Sequence, residues 1–203
     1  QPANYGADII IYSTTKFLSG HGNAMGGCVV DTGKFDWANN RGFEKLNEPD
    51  TSYHGIKFYE TFGNLAYINF CHACALRDLG TTMSPFNAYL TLTGIETLNL
   101  RMQKHMSNAE KVANFLIKHN KVDTVSWSGF QNNKSHKLAK KYFKFGFGSV
   151  FTFSVKSGYD GAKKVVENCN LFSHLANVGD TKSLIIHPAS TTHRQLSSEQ
   201  REI

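Results

Sequence analysis

The residues best placed to do chemistry are Ser13, Thr14, Thr15 and Lys16. They follow directly on Ala7-Asp8-Ile9-Ile10-Ile11-Tyr12, a short continuous apolar run rich in β-branched side chains. Such a run predicts a strand buried on both faces of a mainly parallel sheet. Ligands of open α/β sheets sit beyond the carboxyl ends of strands, and Lys16 stands at that end. A lysine partly removed from water is a usable amine nucleophile. Ser13 and Thr15 offer hydroxyls, which bind phosphate beside backbone N–H groups. Gly20, Gly22, Gly26 and Gly27 let backbone come close to a ligand. An amine beside phosphate-binding hydroxyls is what a lysine-linked cofactor with a phosphate tail requires. A solvated lysine in an ordinary Ser/Thr turn has the same spacing, so the pattern alone leaves both readings open.

Two other patterns compete. Ser13-x-x-Lys16, with Tyr67-Ile68-Asn69 and Lys156-Ser157-Gly158, matches the short motifs of penicillin-binding proteins and β-lactamases. In those enzymes the serine begins a helix, whereas here it follows a strand pattern and is trailed by glycines. Cys71-His72-Ala73-Cys74 has redox or half-zinc spacing, but no second ligand pair at metal spacing follows it. It lies in a segment, Tyr67 to Leu79, that predicts a helix with buried thiols, so no metal site is assigned.

The elements that must position Lys16 read as mixed α/β. Gly26–Asp31 is a second strand candidate. Residues 32–64 form a long irregular excursion rich in Asn, Gly, Asp and aromatics, and long loops in compact domains are often functional. Ser84-Pro85 starts a helical pattern that runs to His119 and is interrupted by Gly94. In it Leu98, Met102, His105, Met106, Ala109, Val112, Ala113 and Leu116 mark one apolar face. Strands follow at Val122–Trp127, Ser149–Lys156 and Ser183–Ile186. Helices are expected at Ser135–Tyr142, at Asp160–Cys169 and from Ser197 to Arg201. A boundary near residue 95 divides the chain into 1–95 and 96–203.

The chain has 203 residues, 40% hydrophobic and 19% charged, with a formal charge of +6. That suits a globular protein with a sizeable core. The basic residues are scattered. The densest cluster, residues 134–141, reads as the solvated face of a helix, so no nucleic-acid partner is expected. No apolar run approaches the roughly eighteen residues of a membrane helix. Four cysteines without a disulfide framework point to a reducing, cytoplasmic setting. The start at Gln1 and the end at Ile203 read as cuts through a longer protein.

Gly6-Ala7-Asp8-Ile9-Ile10-Ile11-Tyr12-Ser13-Thr14-Thr15-Lys16-Phe17-Leu18-Ser19-Gly20-His21-Gly22 resembles the cofactor-lysine motif of the Cys/Met-metabolism enzymes that use pyridoxal 5'-phosphate. That family includes cystathionine γ-synthase, the cystathionine lyases and methionine γ-lyase. Ser84–Ala88, Leu100-Arg101-Met102 with His105, and His187–His193 also resemble it. The likeness covers the whole chain, as a C-terminal half. Residues 35–40, 48–55 and 171–180 resemble the O-acetylhomoserine sulfhydrylase branch.

The resemblance implies the aspartate aminotransferase-like fold of PLP-dependent transferases, fold type I. Residues 1–95 would complete the cofactor-binding large domain, and 96–203 would form a truncated α+β C-terminal domain. It implies Lys16 as the catalytic, Schiff-base lysine, Ser13 and Thr15 on the cofactor phosphate, and Ser183 near the substrate carboxylate. It implies γ-replacement on O-acetyl-L-homoserine by sulfide or a small thiol, in a homotetramer. The other activities of the family, or a catalytically silent fragment, are the alternatives. The family's pyridine-nitrogen aspartate and ring-stacking aromatic fall upstream of Gln1, and its carboxylate-binding arginine downstream of Ile203. The fragment alone is therefore expected to be inactive.

Overall fold

The computed structural model describes residues 2–197 and 199–200. Compactness divides the chain into two units. One is Gln1–Thr15 with Ala24–Leu90, the other Lys16–Asn23 with Thr91–Ile203. The expected cut near residue 95 follows chain order, whereas compactness groups the short segment after Thr15 with the second unit.

In the first unit, β1 (Ile9–Ser13) pairs with β2 (Gly27–Asp31), from Ile9 opposite Asp31 to Ser13 opposite Gly27. The pairing is antiparallel, not parallel as the apolar run predicts. Nor is β1 buried on both faces, for Ile11 is 76% exposed and Tyr12, Val29 and Val30 are also exposed. An apolar run reports a need for cover, not the direction of pairing, and a two-stranded ribbon has no neighbour to supply that cover.

The excursion over residues 32–64 carries short helices, α1 (Glu44–Asn47) and α2 (Phe58–Phe62). Its aromatics build a core. Trp37, Leu46, Phe58, Ala66 and Cys74 are buried, and Phe35, Phe43, Tyr53, Tyr67 and Phe70 pack against them. The Trp37 ring lies 4.4 Å from Phe35, 4.9 Å from Phe43 and 5.2 Å from Tyr67 between centroids. Its indole N–H donates to the Asn64 carbonyl at 3.0 Å, which satisfies the ring's one polar atom.

The helix expected from Tyr67 to Leu79 is present as α3 (Ala66–Phe70), a wider π-type stretch (Cys71–Leu76) and α4 (Arg77–Leu79). Gly80, at φ +64°, ends it in the left-handed conformation. Cys74 is buried there, and burial pushes its thiol up from the ordinary value. Among the described residues all four cysteines are unpaired, and no cluster of His, Cys, Asp and Glu is arranged for a metal.

Further along are α5 (Pro85–Glu96) and α6 (Leu98–Leu116). On α6 the positions expected to face the core are half-buried or buried, while most of their neighbours are exposed. In the second unit β3 (Val122–Ser126) pairs antiparallel with β4 (Thr152–Val155), with an irregularity between Val122 and Thr124. Between them α7 (His136–Tyr142) carries exposed lysines. After β4 comes α8 (Gly158–Glu167), and β5 (Ser173–His174) pairs in parallel with β6 (Leu184–Ile185). The helix expected from Ser197 to Arg201 includes Ser198 and Arg201, which lie outside the described residues. No described helix is long and apolar enough to cross a membrane.

Phe58 is fully buried and meets Phe70 edge-to-face at 5.3 Å. Phe58→Ala is expected to destabilise the first unit by about 3–5 kcal/mol, read as a lowered midpoint in denaturant unfolding. An unchanged midpoint would show that the aromatic cluster does not hold this unit together.

Candidate active site

In the first unit the strand β1 delivers Ser13, which is exposed. Beyond it, the Thr14 N–H donates to the Gly26 carbonyl at 2.9 Å. The Thr15 hydroxyl accepts from the Gly26 N–H at 3.1 Å and donates to the Gly26 carbonyl at 3.3 Å. Sequence reasoning puts this hydroxyl on a phosphate, whereas here it ties down the backbone of Gly26. A hydroxyl has one hydrogen to give, so reaching a phosphate means releasing the long bond to that carbonyl. The Thr14 hydroxyl is buried without a hydrogen-bond partner. A Cβ on Gly26 would lie 2.7 Å from the Thr14 hydroxyl and 2.5 Å from the end of Met83, so a side chain there would make those groups shift.

In the second unit Lys16 is half-buried, and its Nζ donates to the Asn177 side-chain oxygen at 3.2 Å. The Asn177 amide nitrogen donates in turn to Asp180 Oδ2 at 3.0 Å. Asp180 is 8% exposed. Its Oδ1 accepts from the Lys182 N–H at 2.9 Å and from the Thr181 hydroxyl at 3.5 Å. Burial pushes the Asp180 carboxyl up. The Lys182 N–H, the Asn177 amide, the Lys182 charge and the Thr181 hydroxyl outweigh burial and hold it below the usual carboxylate range. The carboxylate is therefore ionised at neutral pH. Gly22, at φ +64°, lies against this group, where a Cβ would sit 2.6 Å from Asp180 Oδ2.

The backbone just after Lys16 is held from α6. Arg101 donates through Nη1 to the Phe17 carbonyl at 2.9 Å, and through Nη2 to those of Leu18 at 3.3 Å and Gly94 at 2.6 Å. Its Nε donates to the Thr97 hydroxyl at 3.2 Å. The glycines follow from this packing. A Cβ on Gly20 would collide with the guanidinium, and one on Gly94 with the Ser19 carbonyl. Gly94, which only interrupts a pattern in the sequence, is where helix and turn touch.

One turn further along α6, His105 meets the Phe17 ring edge-on at 6.1 Å. Its Nε2 is buried without a partner. Burial lowers its pKa from the ordinary histidine value, the Arg101 charge lowers it further, and Asp180 opposes both.

Ser183 is exposed, and its carbonyl accepts from the Ser173 N–H at 2.8 Å, so its backbone serves the short parallel ladder. Asn177 is legible in the sequence as a polar residue of the 171–180 stretch. Its contact with Lys16 spans 161 positions, a distance no local pattern reports. Asp180 and Arg101 carry no signal beyond lying in family-like stretches. Two surface concavities, of about 310 and 330 Å³, are lined by residues 38–48 and by Gln103, Met106, Glu110, Trp127 and Phe147 among others. Neither includes Lys16.

Residues 1–203 match the family described as Cys/Met metabolism PLP-dependent enzymes. The chain is 51% identical to the homocysteine synthase of Schizosaccharomyces pombe, over 99% of this chain and 47% of that protein. It is 49% identical to the O-acetyl-L-homoserine sulfhydrylase of Leptospira meyeri, over 98% and 47%. An O-acetylhomoserine (thiol)-lyase structure from Campylobacter jejuni, containing a pyridoxyl-lysine phosphate, superposes with a TM-score of 0.92 at 41% identity. It covers 100% of this chain and 48% of that one. Cystathionine gamma synthase of Xanthomonas oryzae superposes at 0.74 with 32% identity, over 99% and 43%. The chain thus spans about half the length of the curated relatives it matches.

The depressed histidine gives a pH dependence of stability. His105 titrates lower in the folded than in the unfolded chain, so its neutral burial is tolerated above the unfolded value of about 6.5. Stability falls as pH drops through that value toward the folded one. The unfolding midpoint of the full-length protein is expected to decline as pH falls below about 6.5, and that of His105→Gln to decline less. Parallel declines in the two proteins would clear His105 of the effect.

Proposed function

The chain belongs to the Cys/Met metabolism family of PLP-dependent enzymes, and we propose that it is part of an enzyme of γ-replacement. The substrates are O-acetyl-L-homoserine and sulfide or a small thiol, and the products are L-homocysteine (or methionine) and acetate. The observation that carries this reading is the placement of Lys16. Its half-buried amine rests on a neutral amide oxygen within a chain about half identical to two sulfhydrylase-type relatives. A neutral acceptor orients an amine without locking it into an ion pair, which suits a group that must form a bond to carbon.

Pyridoxal phosphate, when bound, supplies an aldehyde for amines and a ring that draws electrons from the bonds at Cα. Lys16 is the residue that carries it. The Lys16 amine, when free, would hold and move protons at Cα and Cβ of the substrate, the role it would play in replacing the acetate at Cγ by sulfide. Ser13 and Thr15 bind the phosphate, and the buried, unpartnered Thr14 hydroxyl is a further polar group of that turn. Ser183 holds the substrate carboxylate through its N–H and hydroxyl.

The full-length enzyme is a cytoplasmic homotetramer in this reading, and the present chain alone is inactive. Ile11 and Val29 are exposed on one face of the ribbon and Tyr12 and Val30 on the other, which supports packing of further chain against it.

The full-length protein tests this. Borohydride reduction and peptide mapping are expected to place the pyridoxyl mass on Lys16. The same preparation is expected to scatter light as a tetramer and to make homocysteine from O-acetyl-L-homoserine and sulfide. Pyridoxyl on a different lysine sinks the site. Brisk cystathionine cleavage with no homocysteine from the ester moves the protein to the lyase branch.

A further inference from the structure

We propose that Asp180 is a positioning residue for Lys16, acting through the side-chain amide of Asn177, which it holds with the oxygen toward the amine. The inference rests on the reading of Lys16 given above.

A primary amide has two ends of nearly equal shape and opposite polarity. Whichever end faces Lys16 decides whether the amine meets an acceptor or a second donor. In the observed arrangement Oδ1 of Asn177 accepts from Lys16 at 3.2 Å, and Nδ2 donates to Asp180 at 3.0 Å. Turning the amide over would set an N–H₂ group against the Lys16 nitrogen and an oxygen against the carboxylate. The oxygen facing the carboxylate would then be repulsive, as would the N–H₂ group whenever Lys16 is the ammonium, and Asp180 is nine-tenths buried, so water cannot readily repair its loss.

The carboxylate is itself held in place. The Lys182 N–H fixes its second oxygen at 2.9 Å, with the Thr181 hydroxyl at 3.5 Å. The Asp180 N–H donates back to the Asn177 carbonyl at 3.1 Å, closing a tight turn around the pair. The Thr181 N–H donates to the Gly20 carbonyl at 2.8 Å, which ties that turn to the segment bearing Lys16. Gly22 leaves room for the carboxylate where any side chain would displace it. The charged or titratable groups around Asp180 are Lys182 on its own loop, His105 on α6 and Lys16 beyond the amide. The hydrogen bonds keep Asp180 ionised as pH falls, so it remains an acceptor over the range in which such an enzyme works. The arrangement leaves Lys16 with one neutral acceptor in a fixed direction and an anion one group further away.

The test uses the full-length protein loaded with pyridoxal phosphate, as wild type, Asp180→Asn, and the exchange Asn177→Asp/Asp180→Asn. In the single variant the amide of residue 177 loses its anionic anchor and can turn over. In the exchange, a carboxylate at 177 accepts from Lys16 whichever way it turns, and the amide at 180 can donate to it. For Asp180→Asn, kcat is expected to fall about ten- to a hundredfold, the range of one hydrogen bond to a charged group. KM for O-acetyl-L-homoserine is expected to stay within about threefold, since an aligned amine serves the chemical step rather than uniform binding. The exchange is expected to recover only part of that loss, because an acceptor again faces the amine but its charge favours the ammonium. It is also expected to raise the pH at which the visible absorbance of the bound cofactor changes, because a carboxylate now touches the amine directly. A single variant with wild-type kcat, or one in which only KM rises, overturns the proposal. So does an exchange variant no better than the single variant in turnover and in thermal melting, a comparison that holds even if Asp180→Asn folds poorly. Normal borohydride labelling of Lys16 with such results would sink this inference alone, whereas absent labelling in the wild type would sink the reading of Lys16 itself.

Discussion

A guanidinium partly withdrawn from water needs acceptors for its N–H groups, because burying an unpaired charge costs far more than a neutral hydrogen bond returns. Half-buried Arg101 places four of its five N–H groups on three main-chain carbonyls and one hydroxyl. Its planar fork spans Phe17, Leu18 and Gly94, which fixes the turn after Lys16 against the start of α6. A lysine in that place could not do the same, since an ammonium is a point charge and not a fork. Much of the local sequence follows from this contact. Gly20 makes room for the guanidinium, Gly94 makes room for the Ser19 carbonyl, and Phe17 and His105 close the apolar side.

On that fixed turn, the side chain of Lys16 is directed by neutral and anionic groups in series. The amide of Asn177 touches it and the carboxylate of Asp180 does not. This order matters chemically. A carboxylate in direct contact would favour the ammonium and oppose bond formation by the nitrogen, while an amide oxygen favours neither form so strongly. The placement of charge one group away gives direction without that penalty.

The first unit rests on a different principle. Its ribbon of β1 and β2 exposes much of its apolar surface, and what it buries lies in the aromatic cluster around Trp37 and Phe58. Residues 32–64 read as an irregular loop because aromatics spaced without period give no helix or strand signal. They nevertheless pack, since large rings fill a core from many backbone directions and Trp37 finds its polar partner at Asn64. The long helix α6 is the opposite case. Its buried positions from Leu98 to Leu116 were legible because a helix repeats its inward face every three to four residues.

The sequence by itself determined the elements whose signal is local: the strand ahead of Lys16, the Ser/Thr/Lys turn, the periodic face of α6 and the start at Ser84-Pro85. The long likeness to the pyridoxal-phosphate family was equally legible, since it needs only the order of residues. Tertiary structure decided what those residues touch. It made β1 and β2 an antiparallel ribbon, engaged the Thr15 hydroxyl with Gly26, and turned Ser183's carbonyl to the Ser173 N–H. It also brought Asn177 to Lys16 across 161 positions. Strand direction, hydroxyl partners and the orientation of an amide depend on groups far away in the chain. A sequence pattern records which faces must be covered, and only the folded backbone determines which atoms cover them.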